Sequence, residues 1–263
     1  MSSTSLLALL NKQFGNDKKE ENYALILCGN VLVNGEKIKD PKEKVDKNSE
    51  IKIIRKKYVS RGGYKLEYAL DHWKIEAEGK VFIDAGSSTG GFTDCLLKRN
   101  ALFVHAIDVG YNQIDYMLRN DNRVILHEKK NIMDINSLSP TADIGVADLS
   151  FRSIANAASK ILDLVKEKKL IALIKPQFET KKNNLEKGII ESASILKETL
   201  LTVIDKLFYE KSFVQDIVRS PIKGAKGNRE FLFLITREEV EKNKVIEKLS
   251  LLFSDFSQNI SDK

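Results

Sequence analysis

The stretch Val81-Phe82-Ile83-Asp84-Ala85, followed by Gly86-Ser87-Ser88-Thr89-Gly90-Gly91 and then Phe92-Thr93-Asp94, most restricts the folds open to this chain. It reads as a short apolar strand, a glycine-rich turn and the start of a helix. A turn without side chains lets backbone groups come close to a ligand, and the helix that follows adds oriented N–H donors. The flanking sequence continues the pattern. Phe103 to Asp108, Val124 to His127, Ile144 to Ala147 and Leu170 to Ile174 are further short apolar runs. Strands of this kind alternating with helices predict a mostly parallel sheet covered on both faces. A helix is expected from about Ser192 to Phe208. Phe213 to Arg219 and Glu230 to Thr236 flank the loop Ser220 to Asn228 as a terminal antiparallel hairpin, and a charged helix follows Arg237. The expected fold class is α/β, Rossmann-like.

The glycine spacing departs from the dinucleotide fingerprint: Gly86, Gly90 and Gly91 do not form Gly-x-Gly-x-x-Gly, and Asp84 places an acid inside the strand end. Locally this favours the nucleoside site of a methyltransferase over a nicotinamide site. Asp108 ends the second strand, roughly 20 residues beyond the turn, where a carboxylate meets the ribose hydroxyls of a bound nucleoside. A turn-forming Asp is the alternative. Asn131, past the third strand, is a candidate for the adenine edge, or else a plain loop residue.

Residues 1 to 57 read as a small α/β module with its linker. The Asn34-Gly35 pair between Val31-Leu32-Val33 and Glu36-Lys37-Ile38 is a hairpin signal, since type I′ turns need positive φ at both central residues. Ser49 to Ile54 supplies another strand. The basic run Arg55-Lys56-Lys57 then leads into Arg61-Gly62-Gly63, and residues 58 to 263 form the second, larger domain. The apolar run Leu6 to Leu10 is too short for a membrane span and reads as a helix face. Cys28 and Cys95 lie in apolar surroundings and are expected as buried free thiols in a reducing, cytoplasmic setting. With 263 residues, a net charge of +6 and a pI near 9.0, the chain favours an anionic partner.

Five ordered motifs carry a family resemblance: Tyr58 to Leu66, Asp84 to Asp94, Ala147-Asp148-Leu149-Ser150-Phe151, Leu173-Ile174-Lys175-Pro176-Gln177-Phe178-Glu179, and Gly227-Asn228-Arg229-Glu230-Phe231. In these the chain resembles the TlyA family of ribosomal RNA 2′-O-methyltransferases, also labelled hemolysin A, in which an S4-like domain precedes an FtsJ-type catalytic domain. The resemblance implies S-adenosylmethionine as cofactor, ribosomal RNA or ribosomal subunits as partner, and a cytidine 2′-hydroxyl of 16S or 23S RNA as target. It carries a Lys-Asp-Lys-Glu tetrad onto Lys65, Asp148, Lys175 and Glu230. Lys175 is the expected base, with the second cation Lys65 lowering its pKa. Asp148 orients Lys175 and lies near the sulfonium, while Glu230 holds Lys65 or the ribose. The expected cofactor set is Ser60, Arg61, Asp84, Gly86, Ser88, Thr89, Gly90, Gly91, Phe92, Asp108, Asn131 and Asp148.

The S4-like module departs from the family upstream. Ser5-Leu6-Leu7 and Asn16-Asp17-Lys18-Lys19-Glu20-Glu21-Asn22 replace its Arg-Leu-Asp opening and arginine-rich helix, so acids offset the lysines. RNA contact is therefore expected at Arg55, Lys56, Lys57, Arg61, Lys223, Lys226 and Arg229. His72, His105 and His127 are expected as structural histidines, and no metal site is expected. Trp73 is expected in the core, with Tyr64, Phe151 and Phe178 as alternatives for stacking on a base. A monomer or weak dimer is expected. The rival readings are an assembly protein that has kept the fold without catalysis, and a cytolysin, for which no membrane-spanning or lytic segment is evident.

Overall fold

The computed structural model describes residues 3–15, 18–54, 56–150, 153–224 and 226–258. The chain opens with β1 (Ser3–Ser5), α1 (Leu6–Phe14), α2 (Lys19–Leu27), β2 (Val31–Val33), β3 (Glu36–Lys37), β4 (Lys44–Asp46) and β5 (Ile51–Ile53). Ser5 caps α1, accepting the Ala8 N–H, and the i, i+3, i+4 residues Leu6, Leu9 and Leu10 of the apolar run are buried. They join Ile26, Val31, Val33 and Val45 in a core of their own. β2 pairs with β3 and β5, and Asn34 (φ 50°) and Gly35 (φ 87°) make the turn that their sequence demands. The antiparallel pairing of β1 with β4 was not legible in the sequence, because strands of three residues are too short to display a periodicity.

The larger part continues with α3 (Gly62–His72), β6 (Val81–Ala85), α4 (Gly91–Lys98), β7 (Phe103–Asp108), α5 (Tyr116–Arg119), β8 (Val124–Glu128) and β9 (Ile144–Ala147). Then come α6 (Ile154–Leu164), β10 (Lys169–Ile174), α7 (Pro176–Glu179), α8 (Ala193–Tyr209), β11 (Phe213–Arg219), β12 (Phe231–Thr236) and α9 (Lys242–Gln258). Seven strands form one sheet in the order β11-β12-β10-β9-β6-β7-β8. The five from β10 to β8 run parallel, and β12 and β11 add as the antiparallel hairpin read from the sequence.

Strand periodicity sorts the core into two layers. Ile83, Ala85, Ala147, Ala172 and Ile174 face α6, α8 and α9, whereas Phe82, Ile144, Val146, Ile171 and Leu173 face α3 and α4. Every residue of β6 is buried, as befits a central parallel strand covered on both sides. The chain order reverses between β6 and β9, since β6 is followed by β7 on one side while β9 lies on the other. A crevice opens outside the carboxyl ends of the strands at such a switch point.

Candidate active site

The glycine turn stands at that crevice. Asp84 is fully buried; its Oδ2 accepts the Thr93 N–H at 2.9 Å and the Thr93 hydroxyl at 2.6 Å, while Oδ1 has no partner. Burial pushes its carboxyl up to about 7, opposed by the Thr93 bonds and aided by the negative charge of Asp148. Gly86 has φ +81°, and a Cβ there would stand 2.7 Å from the Asp148 carbonyl oxygen. Only glycine lets the turn after β6 lie this close to the end of β9. Ser60, Asp84, Gly86, Ser88, Thr89, Gly91, Phe92 and Asp148 help to line a small chamber of about 90 Å³. Gly86, Ser88 and Asp148 also belong to the wall of a neighbouring cleft of about 1000 Å³.

Asp108 and Asn131 lie along that larger cleft. The Asp108 carboxylate accepts the Ser88 N–H at 2.8 Å and the Gly110 N–H at 2.7 Å, which fixes it between two loops and leaves lone pairs for a hydroxyl. Asn131 accepts the Met133 N–H at 3.1 Å, capping a short 3₁₀ turn over Ile132–Asp134. Gln113, Lys130 and Met133 line the same cleft without having been singled out from the sequence. Loops at the carboxyl ends of β7 and β8 had to face the crevice, so strand order was the signal for Gln113 after β7 and for Lys130 and Met133 after β8.

Two of the expected cofactor residues sit elsewhere. Gly90 (φ +91°) faces α5, where a Cβ would stand 2.3 Å from Leu118 Cδ1, so its part is in the turn and the helix start. Arg61 is exposed, is not among the residues lining the chamber or the cleft, and donates to the Lys223 carbonyl at 3.3 Å, joining the linker to the loop before β12.

The expected tetrad resolves into two ion pairs. Lys175 and Asp148 follow directly on the neighbouring parallel strands β10 and β9, and Lys175 Nζ stands 2.5 Å from Asp148 Oδ1. This contact is ionic rather than an aligned hydrogen bond. Lys175 Nζ also donates to Ser150 Oγ at 3.1 Å and lies 5.9 Å from the centre of the Phe178 ring. Lys65, in the first turns of α3, reaches Glu230 at the start of β12 with Nζ–Oε2 at 2.5 Å, and both side chains are buried (7% and 3% exposed). The pair closes 165 positions of sequence. Around it, Gly224 packs on the Glu230 carboxylate, and Asn228 bonds both the Ile190 N–H and the Gly188 carbonyl. Lys65 is thus neutralised by Glu230 rather than set as a bare cation against Lys175.

Among the expected RNA contacts, Lys56, Lys223, Lys226 and Arg229 are exposed, and Arg55 lies outside the described residues. Lys57 is exposed as well and pairs with Glu67, its ammonium 2.5 Å from the carboxylate that also accepts the Tyr58 hydroxyl. Phe151 likewise lies outside the described residues, and Tyr64 is exposed. Trp73 packs against the core on the α3 and α4 side and donates from Nε1 to Asp216 at 2.9 Å. His105 and His127 meet, Nδ1 to Nε2 at 3.1 Å, and His105 Nε2 bonds the Pro140 carbonyl at 2.8 Å. Burial holds both imidazoles below the usual histidine range. Cys95 is buried but Cys28 only half so, and burial pushes both thiols up to about 12. Among the described residues no group of three or more His, Cys, Asp and Glu is placed to hold a metal ion, and no helix is long and apolar enough to cross a membrane.

A model of the FtsJ-like methyltransferase family matches residues 58–238. Hemolysin A of Brachyspira hyodysenteriae is 43% identical over 223 residues, covering 82% of this chain and 92% of that protein. The 16S/23S rRNA (cytidine-2′-O)-methyltransferase TlyA of Mycobacterium tuberculosis is 32% identical over 229 residues, 84% of this chain and 85% of that one. The solved structure of a Streptococcus thermophilus protein described as a candidate hemolysin superposes with a TM-score of 0.70 at 32% identity, covering all of both chains.

Proposed function

Because the chain belongs to the FtsJ-like methyltransferase family, we propose that it methylates a ribose 2′-hydroxyl of ribosomal RNA, a cytidine of the 16S or 23S molecule, with S-adenosylmethionine as donor. The observation that carries this reading is the position of Asp148, which pairs with Lys175 and forms part of the wall of both the glycine-turn chamber and the adjoining cleft. The residues present fit the cofactor. Asp84 lines the small chamber and keeps a buried carboxylate oxygen without a partner, which suits an ammonium group, Asp108 suits a ribose diol, and Asn131 lies along the larger cleft for a base.

When bound, S-adenosylmethionine supplies a methyl group activated on a sulfonium. A ribose hydroxyl is a poor nucleophile near neutral pH, so the protein must hold it in line and take its proton. Lys175 is the residue for the proton. In its charged form it is held by Asp148 and Ser150. Asp148 lines the cofactor chamber as well, so one carboxylate both orients Lys175 and borders the place the sulfonium would take. The buried Lys65–Glu230 pair braces α3 against the start of β12 beside this site. Residues 1–57, as an S4-like module, would bring RNA to the catalytic residues 58–263, with Lys56, Lys223, Lys226 and Arg229 contacting phosphates. We take the protein to act in the cytoplasm as a monomer or weak dimer.

The test is transfer of labelled methyl from S-adenosylmethionine to ribosomal subunits or their RNA, with mapping of the modified nucleotide. A 2′-O-methylated cytidine is expected. RNA binding without any transfer, where the cofactor binds, would instead favour an assembly role.

A further inference from the structure

The outer face of α3 carries a feature that the catalytic reading leaves unused. Tyr64, Tyr68 and His72 recur at intervals of four, so they stack along one side of the helix, and Arg61 at its start belongs to the same side. Tyr64 is 38% exposed, Tyr68 40% and the His72 side chain 42%. Tyr68 and His72 lie nearly parallel, with ring centres 6.0 Å apart and planes at 24°. Lys65 projects from the adjoining side of the same helix to Glu230, so the stripe borders the buried pair. The neighbouring acids are already engaged: Glu67 by Lys57 and Arg99, Asp71 by Arg99, and Asp216 by Lys248, the Trp73 indole and His72 itself, whose Nε2 lies 3.7 Å from that carboxylate. The rim of the stripe is cationic, with exposed Arg61 bonded to the backbone of Lys223, and Lys56 close by in sequence.

Exposed aromatic faces in a row, with the local acids neutralised and cations at one end, suit unpaired nucleotides, whose bases stack while their phosphates meet the cations. We propose that the Tyr64–Tyr68–His72 stripe is a stacking platform for unpaired nucleotides of the RNA substrate that flank the target ribose. This rests on the reading of the protein as an RNA methyltransferase. Tyr68 is the residue to test, since Tyr64 also accepts the Lys57 N–H and packs on Tyr58.

Full-length Tyr68→Ala and Tyr68→Phe proteins would be compared with the parent in two assays. One is anisotropy of a labelled ribosomal RNA fragment containing unpaired nucleotides, and the other is steady-state methylation with separate calorimetry of S-adenosylmethionine binding. Tyr68→Ala should weaken RNA binding and raise the RNA KM by roughly tenfold. Tyr68→Phe should match the parent, and cofactor affinity should not change in either. Parent-like RNA binding by Tyr68→Ala, or an equal loss in Tyr68→Phe, would overturn the platform. A parent that binds RNA but transfers no methyl would overturn the methyltransferase reading instead, leaving the platform to be judged by anisotropy alone.

Discussion

Asp148 and Lys175 stand 2.5 Å apart at the ends of adjacent parallel strands, and the same carboxylate borders the chamber under the glycine turn. One side chain thereby couples the place where a cofactor would bind to the residue assigned the proton. The predictions below start from this arrangement.

Lys175→Ala should remove methyl transfer, a loss of at least about 10² in rate for a general base, while cofactor affinity stays at the parent value. Lys175→Arg should be equally inactive, because a guanidinium does not give up its proton. Single-turnover kinetics with calorimetry of cofactor binding would check both. Transfer near the parent rate in either variant would take Lys175 out of the base role.

Glu230→Ala leaves the buried Lys65 ammonium without its partner and should destabilise the fold by about 3–5 kcal/mol. The double variant Lys65→Met with Glu230→Leu should recover most of that stability and none of the activity. Urea denaturation of the three proteins measures the difference. Equal loss in the single and double variants would show that packing, not the orphaned charge, sets the cost.

Burial lifts the Asp84 carboxyl from the ordinary 3.8 to about 7, so the folded state holds its proton more tightly than the unfolded chain. Stability from this group is full below the lower value and falls as pH rises through the upper one, by roughly 4 kcal/mol across the window. Denaturation of the cofactor-free protein from pH 4 to 7 should show this fall, and Asp84→Asn should flatten it. A cationic cofactor group at Asp84 has the opposite linkage, so cofactor affinity should rise with pH through the same range.

The His105–His127 pair runs the other way. Both imidazoles titrate below the ordinary histidine range because of burial, and a second proton would set two donors face to face. Their contribution is present above the unfolded value and is lost as pH falls through the folded values. Superposed on the Asp84 rise, the pair contributes an acid-side loss between pH 7 and 5, read in thermal melts as a parent that gains less stability on acidification than His127→Gln. An identical profile in that variant would assign the loss to other groups.

Local chemistry made much of the fold legible. The β6 run, its glycine turn and the start of α4 follow from apolar continuity ended by residues that allow positive φ, and β11 and β12 from two apolar runs around a polar loop. The Asn34-Gly35 turn did the same for β2 and β3. Asp84, Asp108 and Lys175 were placed at strand ends for the same reason: each directly follows an apolar stretch or closes it.

What the sequence alone determined is therefore the set of strands, the turn at the switch point and the candidate residues at their carboxyl ends, because all of these depend on neighbours a few positions away. Only the tertiary structure decided which residues meet. It put Glu230 on Lys65, where the ribose was the other expectation, drew Lys57 onto Glu67 and turned Gly90 toward Leu118, while the meeting of Asp148 with Lys175 was already implied by the family resemblance. It also brought His105 against His127 across two neighbouring strands. These contacts depend on strand order and helix placement, and no spacing along the chain encodes an ion pair whose partners are brought together by the packing of a helix on a sheet.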